Sequence, residues 1–277
     1  GWWLIEIEAI FGKKGRHLPL WLELFSVARR GYKSQRTLVQ KAIGELVSHI
    51  GRWGLWVFDR GFDNWQFFAF LGTLCLEFLI RVKGNRCVID LVDGRRKSLA
   101  VLAREVLTKT PFVWSRRHKG AGYLMHLGYA PIQIPQSGQR LFLIVVRGFG
   151  KHSMLLLTSR SVSEPQAALA LVRAYLKRWG VEEAGRLVKQ AFDLENLRVL
   201  SWQGLVKLVW LALWTYGLLC LIRIKAGKLY RQILSLYPSF GPVPRFPYYR
   251  LAGGLAWALF VGVLTNPSLF FTLQKSG

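Results

Sequence analysis

The alternation of apolar and polar residues near the start of the chain predicts a β-hairpin. The stretch Trp2 to Ile10 places Glu6 and Glu8 alternately with apolar residues, which is the period of a half-buried strand. A turn cluster at residues 12–15 follows, and His17 to Phe25 is typical of a returning antiparallel strand. The first elements of the chain are therefore predicted to be two paired strands.

The pattern then changes to the period of an amphipathic helix. Apolar residues recur at helical spacing between Gln35 and Ile50, and Ser34 is a suitable N-cap. After two glycines, Leu55 to Phe58 forms a short, entirely apolar run that predicts a buried central strand. That run ends at Asp59.

Between Gly84 and Ser161 the chain predicts a β-rich segment. Short apolar runs are separated by turns that contain glycine or proline, and one short helix is expected at Ser98 to Leu107. The predicted strands are Cys87–Val92, Gln133–Ile134, Leu141–Val146 and Met154–Thr158.

Two apolar segments near the end of the chain raise the question of a membrane. Leu208 to Ile222 has no charge over 15 residues, and Leu251 to Leu264 is shorter and contains three glycines. A spanning helix needs roughly 20 apolar residues. We therefore expect two buried helices, the first of them packed against the sheet, and a small basic membrane protein remains an alternative.

Composition points to a polyanionic partner. The chain of 277 residues has 39 lysines and arginines against 15 acidic residues, a formal net charge of +24. Such an excess is typical of proteins that bind nucleic acid or an anionic membrane surface. The three cysteines and five histidines show no metal-binding spacing, and no signal peptide is apparent, which fits a cytosolic protein.

One stretch concentrates charged residues that suit phosphate chemistry. Arg178, Glu182 and Lys189 follow Tyr175 at offsets of 3, 7 and 14 residues. On a continuous helix these positions fall within an arc of roughly 60° on one face. A carboxylate flanked by cations suits metal binding beside bound phosphates. The alternative is a solvated helix face on which Arg178 pairs with Glu182.

Asp59 is a second candidate. A carboxylate at the carboxyl end of a buried strand, followed by a glycine turn, lies where α/β sheets place their sites. The alternative is that Asp59 caps the next helix, although Asp63 or Asn64 is better placed for that role.

These stretches resemble motifs of a known family. The pattern Tyr-x2-Arg-x3-Glu-x6-Lys at 175–189 resembles the signature of bacterial insertion-sequence transposases of the DDE class. Asp59-Arg60-Gly61-Phe62 is similar to the family pattern that carries the second catalytic aspartate, and Arg81-Val82-Lys83 to the end of its next strand. The resemblance implies a ribonuclease-H-like mixed α/β sheet flanked by helices. It also implies a catalytic core at 1–84 and 163–225, a β-rich insertion at 85–162 and a helical C-terminal region at 226–277, for which dimerisation is the expected role.

The resemblance also implies roles for single residues. Asp59 and Glu182 would be catalytic carboxylates that bind Mg²⁺ or Mn²⁺, and Tyr175, Arg178 and Lys189 would contact DNA. The partners would be double-stranded DNA at the transposon ends and at the target, with a homodimer in the synaptic complex and no membrane. The expected location is the bacterial cytoplasm, at the nucleoid.

The sequence departs from the family pattern in one respect. The family's first catalytic aspartate lies on the first strand, yet no aspartate precedes Asp59 here. Glu6 and Glu8 lie on what would be the second strand. We therefore expect this chain to lack the first strand and any N-terminal DNA-binding domain, and to be inactive or nearly so. A non-catalytic DNA-binding remnant of a transposase is the alternative.

Overall fold

The computed structural model describes residues 2–12, 15–115, 122–148, 150, 152–193, 196, 199, 201–237 and 247–265. Lys13 and Lys14 of the predicted turn, and parts of the predicted region 226–277, lie outside the described residues. The chain divides into two compact units. Unit 1 comprises residues 1–33 and 177–277, and unit 2 comprises residues 34–176.

Strands and helices are interspersed as far as residue 158, and the elements described after that are helices. In chain order the strands are β1 (Trp3–Phe11), β2 (Arg16–Phe25), β3 (Leu55–Phe58), β4 (Glu77–Arg81), β5 (Cys87–Asp90), β6 (Arg96–Ser98), β7 (Thr110–Ser115), β8 (Gly122–Gln133), β9 (Arg140–Arg147) and β10 (Met154–Thr158). The helices are α1 (Gln35–Ile50), α2 (Trp65–Thr73), α3 (Leu99–Glu105), α4 (Pro165–Lys177), α5 (Trp179–Ala191), α6 (Trp202–Lys225), α7 (Gly227–Leu236) and α8 (Tyr248–Thr265).

Unit 2 is built on one mixed sheet with the strand order β3-β4-β10-β9-β8-β5-β6, and β7 pairs with β8. The β3–β4 pair is parallel and the remaining pairs are antiparallel. This mixed sheet with flanking helices confirms the predicted fold class and is consistent with a ribonuclease-H-like fold. Because β10 pairs with both β4 and β9, the sheet joins strands of the predicted core and of the predicted insertion.

The expectation that β3 is a buried central strand is wrong. Among the described strands β3 pairs with β4 alone, and all four of its residues are half-buried. The hairpin strands β1 and β2 pair with each other and form a separate two-stranded sheet. An apolar run of four residues satisfies an edge strand as well as a central one, because its neighbours are set by distant segments.

Local signals for the helix starts are confirmed. The Ser34 hydroxyl accepts a hydrogen bond from the Thr37 backbone N–H at 3.1 Å, which caps α1. Ser98 caps α3 in the same way at 3.3 Å, and Asn64 caps α2 through the Gln66 N–H at 2.8 Å.

In unit 1, helices α5 and α6 pack on the hairpin. Leu22 and Leu24 of β2 share a buried apolar cluster with Leu187 of α5 and with a row of α6 that includes Leu213 and Tyr216. This confirms the prediction that α6 packs against a sheet, here the two-stranded one. The expectation of full burial is wrong for its outer face.

That outer face of α6 is apolar and open. Leu211 is 59% exposed and Trp214 is 68% exposed. Among the described residues, α6 is the one helix long and apolar enough to cross a bilayer, judged by length and composition alone. Core helices of water-soluble proteins meet the same criterion, so this feature does not identify a membrane protein.

Candidate active site

Asp59 directly follows β3 and is exposed. Its Oδ1 accepts a hydrogen bond from the Gly61 N–H at 2.8 Å and caps the single 3-10 turn Arg60–Phe62. Its Oδ2 accepts no hydrogen bond from any residue that the structure describes. Because β3 and β4 are parallel, Asp59 lies at the same sheet edge as the segment that follows β4. The turn therefore presents one free carboxylate oxygen at this edge.

Asp63, four residues later, is committed to a different task. Its Oδ2 accepts the Lys83 N–H at 2.7 Å, and its Oδ1 accepts the Arg86 Nε–H at 2.7 Å and an Arg86 Nη2–H. The side chains of Asp63 and Arg86 are 5% and 12% exposed. The Arg86 guanidinium also stacks over the Phe68 ring at 4.9 Å. This buried pair ties the Asp59 turn to the segment after β4.

A polar pocket of about 330 Å³ opens beside this ion pair. Its lining combines cationic, amide and thiol side chains, and consists of Asp63, Lys83, Asn85, Arg86, Cys87 and Gln136. Lysine, arginine and amide side chains offer several N–H donors, which suits an anionic group such as a phosphate. The pocket and Asp59 belong to the same end of the β3–β4 pair.

Glu182 and Arg178 occupy the start of α5 in unit 1. The Arg178 Nη2–H donates to Glu182 Oε1 at 2.8 Å, as expected for an i,i+4 pair. The Glu182 side chain is 57% exposed and the Arg178 side chain 17%. Glu182 Oε2 accepts no hydrogen bond among the described residues. Lys189 is exposed, two turns further along the same helix.

The prediction of one continuous helix face across 175–189 is wrong. Helix α4 ends at Lys177 and α5 begins at Trp179, so the helix is interrupted at Arg178, two residues before Gly180. Tyr175 is 1% exposed and belongs to a buried cluster of unit 2 with Leu156 and Val172. A DNA contact by Tyr175 stays a prediction, and it would require the ring to leave this core.

A second group of carboxyls lies beneath α5. The Oε1 atoms of Glu6 and Glu8 on β1 are buried, and Glu8 Oε2 lies 2.7 Å from Nδ1 of His17 on β2. Burial raises the pKa of Glu8 from 4.5 to about 7. Burial, followed by the charge of Glu8, raises the pKa of Glu6 well above 4.5.

The two predicted metal ligands offer carboxylate oxygens that a divalent cation could bind. Asp59 and Glu182 each keep one oxygen that accepts no hydrogen bond from a described residue, and carboxylate oxygens are the ligands that Mg²⁺ and Mn²⁺ prefer. Asp59 belongs to unit 2 and Glu182 to unit 1. No group of three or more acidic, histidine or cysteine side chains that could hold a metal occurs within the described ranges.

Sequence reasoning did not find the roles of Asp63, Arg86 and the Glu6–Glu8 pair. Asp63 and Arg86 are 23 residues apart and carry no local signal of pairing. The alternation in β1 gives no sign that its glutamates are buried, because a two-residue period does not reveal which face is covered.

Comparison with known proteins identifies the family. The model of the transposase DDE domain matches residues 15–218, which is more than half of the 277 residues. The match includes the Asp59 turn, the segment after β4 and the start of α5. A comparison with curated proteins finds no match. The chain therefore belongs to the transposase DDE domain family, as its motifs at 59–62 and 175–189 led us to expect.

Proposed function

We propose that Asp59 and Glu182 are two metal-binding carboxylates of a DNA transposase. The family acts on DNA by nucleotidyl transfer and uses divalent metal ions. The proposal rests on how the two aspartates that follow β3 differ in exposure and hydrogen bonding. Asp59 is exposed with one free oxygen, whereas both oxygens of Asp63 are hydrogen-bonded within a buried pair. Asp59 is therefore the acid of this turn that is available to a ligand.

A bound Mg²⁺ or Mn²⁺ would activate the attacking oxygen and stabilise the leaving oxygen of a phosphodiester. Arg178 orients Glu182 through the 2.8 Å hydrogen bond and leaves its Oε2 free. Lys189 on α5 and Lys83 beside the pocket supply positive charge for DNA phosphates. The proposed partner is double-stranded DNA, at the transposon ends and at the target. The homodimer and the location at the nucleoid remain predictions.

We further propose that this chain alone does not cleave DNA. Four acids precede Asp59, and none is an aspartate. Glu6 and Glu8 have buried carboxyl oxygens, and Glu45 is exposed on α1 with an i,i+4 contact to Lys41.

Manganese binding tests the two-carboxylate proposal. We expect the full chain to bind Mn²⁺ in a calorimetric or electron paramagnetic resonance titration. Asp59→Asn and Glu182→Gln should each weaken that binding at least about tenfold, because changing a residue that only orients a ligand already weakens metal binding about 10–100-fold. Glu183→Gln is the matched control, because it removes the same charge from the neighbouring exposed position of α5. Equal Mn²⁺ affinity in Asp59→Asn and in the unmodified chain would refute the assignment.

DNA cleavage separates the transposase from its alternative, a non-catalytic DNA-binding remnant. Both bind DNA with an affinity that falls steeply with salt. The chain is joined to an upstream strand that ends in aspartate and assayed with Mg²⁺ on supercoiled DNA. Strand cleavage that Asp59→Asn abolishes supports the transposase. DNA binding without cleavage in the extended chain supports the remnant.

A further inference from the structure

Helix α5 rests on a buried polar cluster of the hairpin. We call Glu6, Glu8 and His17 the seat of α5. The side chain of Glu8 is fully buried and that of His17 is 7% exposed, with 2.7 Å between Glu8 Oε2 and His17 Nδ1. A Cβ added to Gly185 of α5 would lie 3.3 Å from Glu6 Oε2, and one added to Gly180 would clash with the His17 ring. The helix backbone therefore touches the seat directly, through its two glycines.

Some of the carboxyl oxygens of the seat are not hydrogen-bonded. Glu6 Oε1 and Glu8 Oε1 are buried and have no hydrogen-bond partner in the described part of the chain. Two adjacent carboxylates in a poorly solvated site cannot both ionise at low cost, so the pair retains a proton near neutral pH. Their raised pKa values agree with this geometry.

The other groups that face the seat stay in one charge state near neutral pH. From α6 these are Tyr216, whose pKa is raised mainly by burial, and Cys220, whose pKa burial raises to about 12. From α8, burial raises the pKa of Tyr248, which accepts a hydrogen bond from the Arg223 guanidinium at 3.1 Å. Helix α5 approaches the seat at Gly180 and Gly185. The tyrosines and the cysteine therefore do not account for titration between pH 5 and pH 8.

We propose that Glu6, Glu8 and His17 are positioning residues for the helix that carries Glu182, and that loss of a proton from this seat releases α5. This inference rests on the proposed function for its consequence in DNA binding. Its physical basis is separate, because a second negative charge on these buried carboxyl groups repels the first. Release of α5 would displace Glu182 and Lys189 together.

Amide hydrogen exchange across α5 tests the proposal on the full chain. When opening of α5 is linked to release of one proton, the opening constant rises about tenfold per pH unit between the pKa values of the closed and open states. We therefore expect α5 amides to exchange increasingly faster in the unmodified chain than in Glu8→Gln as the pH rises from 5 to 7. Glu6→Gln should behave like Glu8→Gln, because an amide keeps the shape and removes the charge.

Two internal controls make the measurement specific. For amides of α1, in unit 2, the ratio of the exchange rate in the unmodified chain to that in Glu8→Gln should be the same at every pH. Glu183→Gln removes an exposed charge from α5 and should leave the pH dependence as in the unmodified chain. In the unmodified chain alone, exchange of α5 relative to α1, corrected for intrinsic rates, should rise with pH. The proposal would be overturned if the corrected exchange rates of α5 and α1 changed with pH in the same way. It would also be overturned if α5 showed the same pH dependence of exchange in Glu8→Gln and in the unmodified chain.

A binding assay connects the seat to DNA. With a duplex of mixed sequence at fixed ionic strength, the affinity of the unmodified chain should fall between pH 5.5 and pH 8 more than that of Glu8→Gln. Glu8→Ala should bind weakly at both pH values, whereas Glu8→Gln retains affinity. If no form of the chain binds DNA, the proposed function fails, and the exchange measurement still decides whether the seat controls α5.

Discussion

Removing the Asp63 carboxylate should destabilise unit 2 and disturb the turn that presents Asp59. Asp63 makes three hydrogen bonds, two to the Arg86 guanidinium and one to the Lys83 backbone. In Asp63→Ala the guanidinium would remain largely buried without its carboxylate, since its side chain is only 12% exposed. The change is therefore different from the loss of a surface ion pair.

The expected cost follows from that burial. Removing one partner of a buried ion pair costs about 3–5 kcal/mol, against about 0–1 kcal/mol for an exposed pair. The lower part of the range applies here, because Arg86 retains its stacking on Phe68 at 4.9 Å. We expect Asp63→Ala to lower the free energy of unfolding by about 3 kcal/mol. Asp63→Asn keeps an acceptor and should cost about half as much.

Denaturant unfolding of the single and double variants measures the pair. The coupling energy from Asp63→Ala, Arg86→Ala and the double variant should be on the order of 2 kcal/mol, since contacting residues are not additive. Lys41→Ala with Glu45→Ala is the matched control, because that pair is exposed and its atoms are 3.6 Å apart. A coupling energy for Asp63 and Arg86 no larger than that of the control would refute the claim that this buried ion pair stabilises unit 2.

Three further outcomes are expected. For Glu8, the folded pKa of about 7 lies above its ordinary 4.5, so the native state binds more protons and stability falls as the pH rises from about 5 to about 7. Glu8→Gln should remove roughly 3 kcal/mol of this pH dependence, measured by chemical unfolding at fixed salt. Lys189→Ala should reduce the slope of log affinity against log salt for duplex DNA by about 1, and an unchanged slope would exclude a phosphate contact. Ser34→Ala should cost about 1 kcal/mol by loss of the cap on α1, and a loss below a few tenths would contradict that role.

Local sequence patterns predicted much of the framework. The hairpin, the start of α1 after Ser34 and the end of β3 before Asp59 each depend on residues that are close together in the sequence. The fold class also follows, because the order of these elements restricts the possible topologies. The position of β3 at the end of the sheet order could not be predicted, since pairing depends on strands far away in sequence.

Strand β8 shows why the rest was missed. Only its last residue, Gln133, was predicted as strand, because Gly122 and Pro131 are usual signals for turns. In the structure a Cβ at position 128 would clash with the Leu107 backbone oxygen, so glycine permits a close approach there. The close contact between two backbones is a tertiary property and leaves no periodic signal.

The candidate site divides in the same way. Asp59, Glu182 and the Arg178–Glu182 pair followed from motifs and helical spacing, and the pair is present at 2.8 Å. The burial of Tyr175 did not follow, because it depends on packing of α4 against distant strands such as β10.

Iron-mediated backbone cleavage tests most directly whether Asp59 and Glu182 bind metal. Fe²⁺ replaces Mg²⁺ in the full chain, and ascorbate with peroxide generates hydroxyl radicals that cut the backbone next to the bound metal. We predict a cut near residues 59–63 that is lost in Asp59→Asn and a cut near residues 178–182 that is lost in Glu182→Gln, both suppressed by excess Mg²⁺. A cut near residues 59–63 that persists in Asp59→Asn, or a cut near residues 178–182 that persists in Glu182→Gln, would contradict metal binding by these carboxylates.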